Sequence, residues 1–114
     1  MPMMMPARRN KFGARKTVFD GKTYDSAGEA RRAAELKLLL RAGRIADLVE
    51  QPRFRLDVNG IHICDYIADF AYTEAETGKR VVEDFKSKAT RTPVYRIKAK
   101  LARAIHGLII TEVN

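Results

Sequence analysis

The chain of 114 residues predicts an α/β (α+β) domain: a mixed four-stranded sheet flanked by two helices and preceded by a β-hairpin. Three observations predict it. Asp20-Gly21 and Asn59-Gly60 are two-residue hairpin signals, each set between short runs of β-forming residues. Two stretches, opening near Ser26 and near Pro93, repeat apolar residues at helical spacing. Residues 108–113 open with an unbroken apolar run, Leu108-Ile109-Ile110, and follow the second helix, as expected of a strand added after a helical crossover.

In order, residues 1–15 read as a flexible basic arm, with Met and Pro crowding the start and no periodicity, which leaves 16–114 as a single domain. Residues 17–19 and 22–24 form the hairpin around Asp20-Gly21. Ser26 followed three residues later by Glu29 matches a capping box, so a helix starts there and stops near Gly43. Glu29, Ala33, Leu36 and Leu40 share one stripe, apolar except for Glu29, which therefore points inward from the first turn. A capping role alone would explain Glu29; near other acids it gains a second use. Residues 45–50 read as a lead-in to Gln51-Pro52. Residues 53–58 alternate as a half-buried strand, and 61–72 return as its partner across Asn59-Gly60. On that long strand Asp65, Ile67 and Asp69 share one face and Tyr66, Ala68, Phe70 and Tyr72 the other; its length and its acids imply a bend or a functional edge. After a turn at 73–78, residues 79–86 complete a three-stranded meander. Pro93 suits a helix N-terminus. Val94, Ile97, Leu101, Ala104 and Ile105 then make the apolar face, with Arg96, Lys100 and Arg103 as a basic stripe and Lys98 bordering the apolar side. Gly107 ends this helix. The last strand is expected to be central, buried on both faces, and parallel to the strand it joins through a right-handed crossover.

The stretch from Asp69 to Lys86 carries the chemistry. If its two apolar runs pair, Asp69 lies close to Asp84. Residues two apart on a strand share a face, so Lys86 accompanies Asp84 while Glu83 and Phe85 point the other way. Two carboxylates and an ammonium then converge, and a hard cation such as Mg²⁺ suits such oxygens. Cys64 is the only cysteine, which excludes an intrachain disulfide and a cysteine-based zinc site; His62 and His106 are too few for a histidine-rich one. All three read as structural residues.

The net charge of +8 is segregated along the chain. Arg8, Arg9, Lys11, Arg15 and Lys16 lie in a segment without acids. Lys86, Lys88, Arg91, Arg96, Lys98, Lys100 and Arg103 form a second acid-free block. Basic flanks around an acidic centre suit a nucleic acid, whose phosphates they neutralise. No apolar run approaches the ~20 residues needed to cross a bilayer, and no signal-peptide core is present, so the expectation is a cytoplasmic protein without a membrane partner.

The ordered set S-x-x-E (Ser26 to Glu29), Y-x-A-D-F (Tyr66 to Phe70) and V-E-D-x-K (Val82 to Lys86), followed by helix and strand, resembles the PD-(D/E)XK nuclease superfamily. Within it, the chain looks like small phage-associated endonucleases and Holliday-junction-resolvase-like proteins. The resemblance covers residues 11–113. Ala68 stands where the motif has proline, and Asp84 where it often has glutamate. The resemblance implies a restriction-endonuclease-like αβββαβ core. It implies Glu29, Asp69, Asp84 and Lys86 as catalytic residues, with Asp69, Asp84, Glu29 and the Phe85 backbone carbonyl holding Mg²⁺ or Mn²⁺. DNA would lie against Lys88, Arg91, Arg96, Lys98, Lys100, Arg103 and the arm residues Arg8, Arg9, Lys11, Arg15 and Lys16. Gln51 and Tyr95 are further candidates beside the site. The implied activity is Mg²⁺-dependent phosphodiester hydrolysis by a phage- or prophage-encoded homodimer in a bacterial host. No sequence-reading element is evident, so branched or junction DNA is the expected substrate. Two other readings compete: a non-catalytic nucleic-acid-binding module on a decayed nuclease fold, and a structural protein in which Asp69, Asp84 and Lys86 form a buried ion-pair network.

Overall fold

Two turns with both central residues at positive φ shape the β-rich parts of the chain. Asp20 (φ 53°) and Gly21 (φ 77°) join β1 (Thr17–Phe19) to β2 (Lys22–Tyr24), and Asn59 (φ 52°) and Gly60 (φ 77°) join β4 (Arg53–Val58) to β5 (Ile61–Ile67). Such turns match the right-handed twist of paired strands and accept only residues that tolerate the left-handed region. The computed structural model describes residues 16–86 and 90–114.

Helix α1 (Ala27–Arg41) follows β2, capped by the Ser26 side chain, which accepts the Glu29 N–H at 3.1 Å. β3 (Ile45–Glu50), β6 (Phe70–Glu74), β7 (Arg80–Phe85) and β8 (Ile110–Val113) form a four-stranded sheet in the order β3-β6-β7-β8. The first two pairings are antiparallel and β7–β8 is parallel. Helix α2 (Pro93–His106) makes the crossover, with Thr92 as N-cap, Pro93 in the first turn and Gly107 as C-cap. The architecture is thus α+β with a mixed four-stranded sheet, two helices and an N-terminal strand hairpin, compatible with the αβββαβ core expected.

Side-chain alternation on β6 and β7 splits the core into two layers. Phe70, Tyr72 and Val81 pack with Tyr24, Ala30, Ala33, Leu36 and Ile45 on the α1 side. Ala71, Val82 and Ile110 pack with Leu56, Tyr66, Ala68, Tyr95 and Ala102 on the α2 side. The sheet is therefore the middle layer, with α1 and the N-terminal hairpin on one face and α2 and the β4–β5 ribbon on the other.

Several sequence-based expectations are corrected. Residues 45–50 are an edge strand, not a lead-in: a register shift between Ala46 and Val49, with Asp47 at φ 52°, breaks the alternation that would have marked it. The expected meander divides. β4 pairs only with β5 as a separate two-stranded ribbon, and residues 61–72 break at Ala68-Asp69 so that their second half, β6, enters the main sheet beside β3. β8 is at the sheet edge rather than its centre, and the preceding Ile109 is exposed. On α2, Tyr95 and Ala102 are buried while Val94 and Ile97 are 62% and 59% exposed. The helix turns its small alanines inward, Ala99 being partly buried beside Ala102, which permits close approach to the ribbon and sheet. Leu40, assigned to the buried stripe of α1, is also exposed, and Ala30 takes part instead.

Candidate active site

The break at Ala68-Asp69 builds the site. Asp69 leaves the ribbon and enters β6 with its N–H bonded to the Glu83 carbonyl (3.1 Å) and its own carbonyl accepting the Gln51 N–H (2.9 Å). Its carboxylate turns along β7, where Oδ2 accepts the Phe85 N–H at 2.6 Å. Because Phe70 pairs with Glu83, the next residues outward are Asp69 and Asp84, whose carboxyls lie close enough to alter each other's acidity. From the other face of the sheet, the first turn of α1 brings Glu29, 5% exposed, close enough to Asp69 to do the same. Asp69 thus links an acid from each side of the sheet.

Burial is the main cause of the altered acidity here. It pushes Asp84 up to about 7, with the hydrogen bond and charge of Asp69 adding to it. Asp69 rises to about 6, again through burial, with the charge of Glu29 contributing. Burial also raises Glu29. Neighbouring buried carboxyls favour the neutral form, because ionising one raises the cost of ionising the next. Asp84, only 2% exposed, also accepts a hydrogen bond from the Tyr66 hydroxyl.

Lys86 shares the face of Asp84, as strand parity requires: its Nζ stands 3.7 Å from Asp84 Oδ2 and 4.2 Å above the Tyr95 ring. Its backbone N–H continues the parallel ladder to the Val113 carbonyl (2.8 Å), which fixes the stem. The Tyr95 hydroxyl donates to Glu112 (2.8 Å), and Arg91 holds the other oxygen of that carboxylate (2.6 Å). Tyr95 is thus a fixed platform for the lysine, and Gln51 lines a pocket that opens onto Glu29 and Asp69 from the hairpin side, beside Lys22, Tyr24 and Glu50. Tyr66 opens the Y-x-A-D-F stretch in the sequence, but its bond to Asp84, 18 residues away, could not be read from it.

The other acids lie apart from the cluster. Glu83 faces α1, bound by Arg32 and Tyr72. Asp65 pairs with Arg53 on the ribbon (2.7 Å). His62 lies between Asp57 and Asp65, and His106 bonds the Arg55 carbonyl, both away from the acids, while Cys64 packs against the core on the α2 side. Of the basic residues, Arg96, Lys100 and Arg103 are exposed along α2, Lys98 is half-buried, and none of the four is ion-paired among the described residues. Arg91 is held by Glu112, and Lys16 lies 3.9 Å from Asp25. Lys88, Arg8, Arg9, Lys11 and Arg15 lie outside the described residues.

Carboxylate oxygens are the donors a hard divalent cation takes, and Glu29, Asp69 and Asp84 come from three elements, with the Lys86 ammonium beside Asp84. Among the described residues, however, no group of three or more His, Cys, Asp or Glu side chains is placed so that it could hold a metal ion. A cation bound there would have to draw the acids together and compete with protons for their oxygens. Among the described residues, no helix is long and apolar enough to cross a membrane. No curated protein and no solved structure matches the chain. A family model does match, over residues 9–108: the chain belongs to DUF1064, a family described as a protein of unknown function.

Proposed function

We propose that this protein is a divalent-metal-dependent DNA endonuclease of the PD-(D/E)XK type. It would act on branched or junction DNA, as a phage- or prophage-encoded homodimer in the bacterial cytoplasm. The observation that carries this reading is the convergence of Glu29, Asp69 and Asp84, drawn from both sides of a sheet, with Lys86 on the face of Asp84. Asp69, Asp84 and Glu29 would hold Mg²⁺ or Mn²⁺, joined by the Phe85 carbonyl. When bound, the ion supplies Lewis acidity at the scissile phosphate and lowers the pKa of water. Lys86, steadied over Tyr95, donates hydrogen bonds to the attacking water or the phosphate and offsets charge as the P–O bond to the leaving oxygen breaks. Arg96, Lys100 and Arg103 would neutralise backbone phosphates leading away from the cut.

The test is a cleavage panel with Mg²⁺ or Mn²⁺ on four-way junction, flap, duplex and single-stranded DNA, with Lys86→Ala as control. Cleavage by wild type, strongest on branched DNA and lost in the variant, is expected. Equal activity in both proteins sinks the mechanism. The placement of the acids, with no three of them set to hold a metal among the described residues, favours, as a second reading, a non-catalytic DNA-binding module on a decayed nuclease fold; DNA binding with neither cleavage nor metal binding would select it.

A further inference from the structure

The segment Val82 to Lys86 presents two working faces. Asp84 and Lys86 look toward Tyr66 and Tyr95, where the candidate chemistry sits. Glu83 and Phe85 look the opposite way, onto α1. We propose that Glu83 and Phe85 are positioning residues, docking α1 on the back of β7 so that Glu29 reaches Asp69. This inference rests on the metal-site reading above.

Two contacts make the dock. Glu83 is 1% exposed, and both its oxygens are engaged by Arg32: Nε to Oε1 at 2.9 Å and Nη2 to Oε2 at 2.6 Å. The Tyr72 hydroxyl donates to Oε2 as well. A buried, forked pair of this kind adds little to stability compared with apolar packing, but it fixes direction and register. The second contact is Phe85 against Gly28. A Cβ on residue 28 would meet Phe85 Cζ first and lie 2.6 Å from Cε1 and 2.9 Å from Cε2, so the ring rests directly on bare helix backbone. Glycine disfavours helix, and its place in the first turn of α1 is explained by this approach.

Gly28 and Arg32 are four apart and lie on one side of α1, with Glu29 between them in sequence. The dock therefore holds the helix immediately before and after the residue that must reach the acids. Any other side chain at position 28 must displace the ring or lift the first turn by about 1.5 Å to restore normal carbon–carbon separation. A shift of that size would carry Glu29 out of hydrogen-bonding or shared-ligand range of Asp69. The odd residues of the segment thus act on the site through Glu29, while the even ones face it.

The experiment is Mn²⁺ affinity, measured by calorimetry on the full chain. Gly28→Ala and Glu83→Gln should each weaken binding, by roughly 10- to 100-fold, as loss of a supporting contact does. If they act through Glu29, each combined with Glu29→Gln should bind no more weakly than Glu29→Gln alone. Phe85→Leu in the Gly28→Ala background should restore affinity by making room for the methyl group. Far-UV circular dichroism keeps Glu83→Gln as the deciding variant if Gly28→Ala fails to fold. Wild-type affinity in both single variants, additive losses with Glu29→Gln, or no rescue by Phe85→Leu overturns the positioning role while leaving the metal site intact. Absence of Mn²⁺ binding by wild type overturns both.

Discussion

Replacing Asp84 with asparagine separates a functional acid from a structural one. In the folded protein Asp84 has its pKa raised from 3.8 to about 7, chiefly by burial and by Asp69. An acid whose pKa is raised by folding stabilises the protein fully below its unfolded value, and that contribution is lost as pH rises through the folded value. Part of the loss is complete by pH 5. At about 1.4 kcal/mol per tenfold in proton affinity, roughly 3 kcal/mol more should disappear between pH 5 and pH 8. The asparagine side chain carries no such proton and can still accept from Tyr66. Urea unfolding in a chelating buffer should therefore show Asp84→Asn gaining on wild type by about 3 kcal/mol between these pH values. Saturating Mg²⁺ should stabilise wild type at pH 8 and leave the variant unchanged. If Asp84→Asn is instead destabilised by the same amount at both pH values, Asp84 and Lys86 are a structural ion pair and the reasoning fails.

Other consequences can be checked separately. Tyr66→Phe removes a donor that favours ionised Asp84; wild type and variant should be similar at pH 5, with the variant less stable at pH 8 in chelator. Replacing Arg96, Lys100 and Arg103 together by Ala should weaken DNA binding evenly across sequences and lower the salt slope by about three, seen in binding titrations over a salt series. Leu56→Ala, at a fully buried ribbon position, should cost about 2–5 kcal/mol in urea unfolding, since it opens a cavity against Tyr66 and α2.

The chemistry was more legible than the topology. Asp84 and Lys86 on one face and Glu83 on the other follow from strand parity alone, and the structure places Lys86 3.7 Å from Asp84 and Glu83 against Arg32. Glu29 was marked by its inward position in an apolar stripe, and it is buried beside Asp69. The length and acids of residues 61–72 imply a bend or a functional edge, but neither the place of the break, Ala68-Asp69, nor its consequence, a ribbon detached from the sheet, is encoded in periodicity, because both depend on long-range pairing. β3 was missed because a bulge hides its alternation. On α2 the expected apolar face holds at Leu101 and Ile105, which pack on the core, and fails at Val94 and Ile97, where close packing selects Ala99 and Ala102, whose small size carries little weight in a hydrophobic pattern. The role of Gly28 was invisible because its partner, Phe85, is distant in sequence.

Calorimetric titration of Mn²⁺ into wild type, Asp69→Asn and Asp84→Asn at pH 6.5, in two buffers of different ionisation enthalpy, addresses the metal centre most directly. At this pH Asp84, raised to about 7, keeps most of its proton, which a cation must displace, while Asp69, raised to about 6, is largely ionised. The prediction is binding by wild type with net proton release, and loss of both binding and release in each variant. Absence of Mn²⁺ binding by wild type, or binding of equal strength in all three proteins, would contradict a metal centre at Glu29, Asp69 and Asp84.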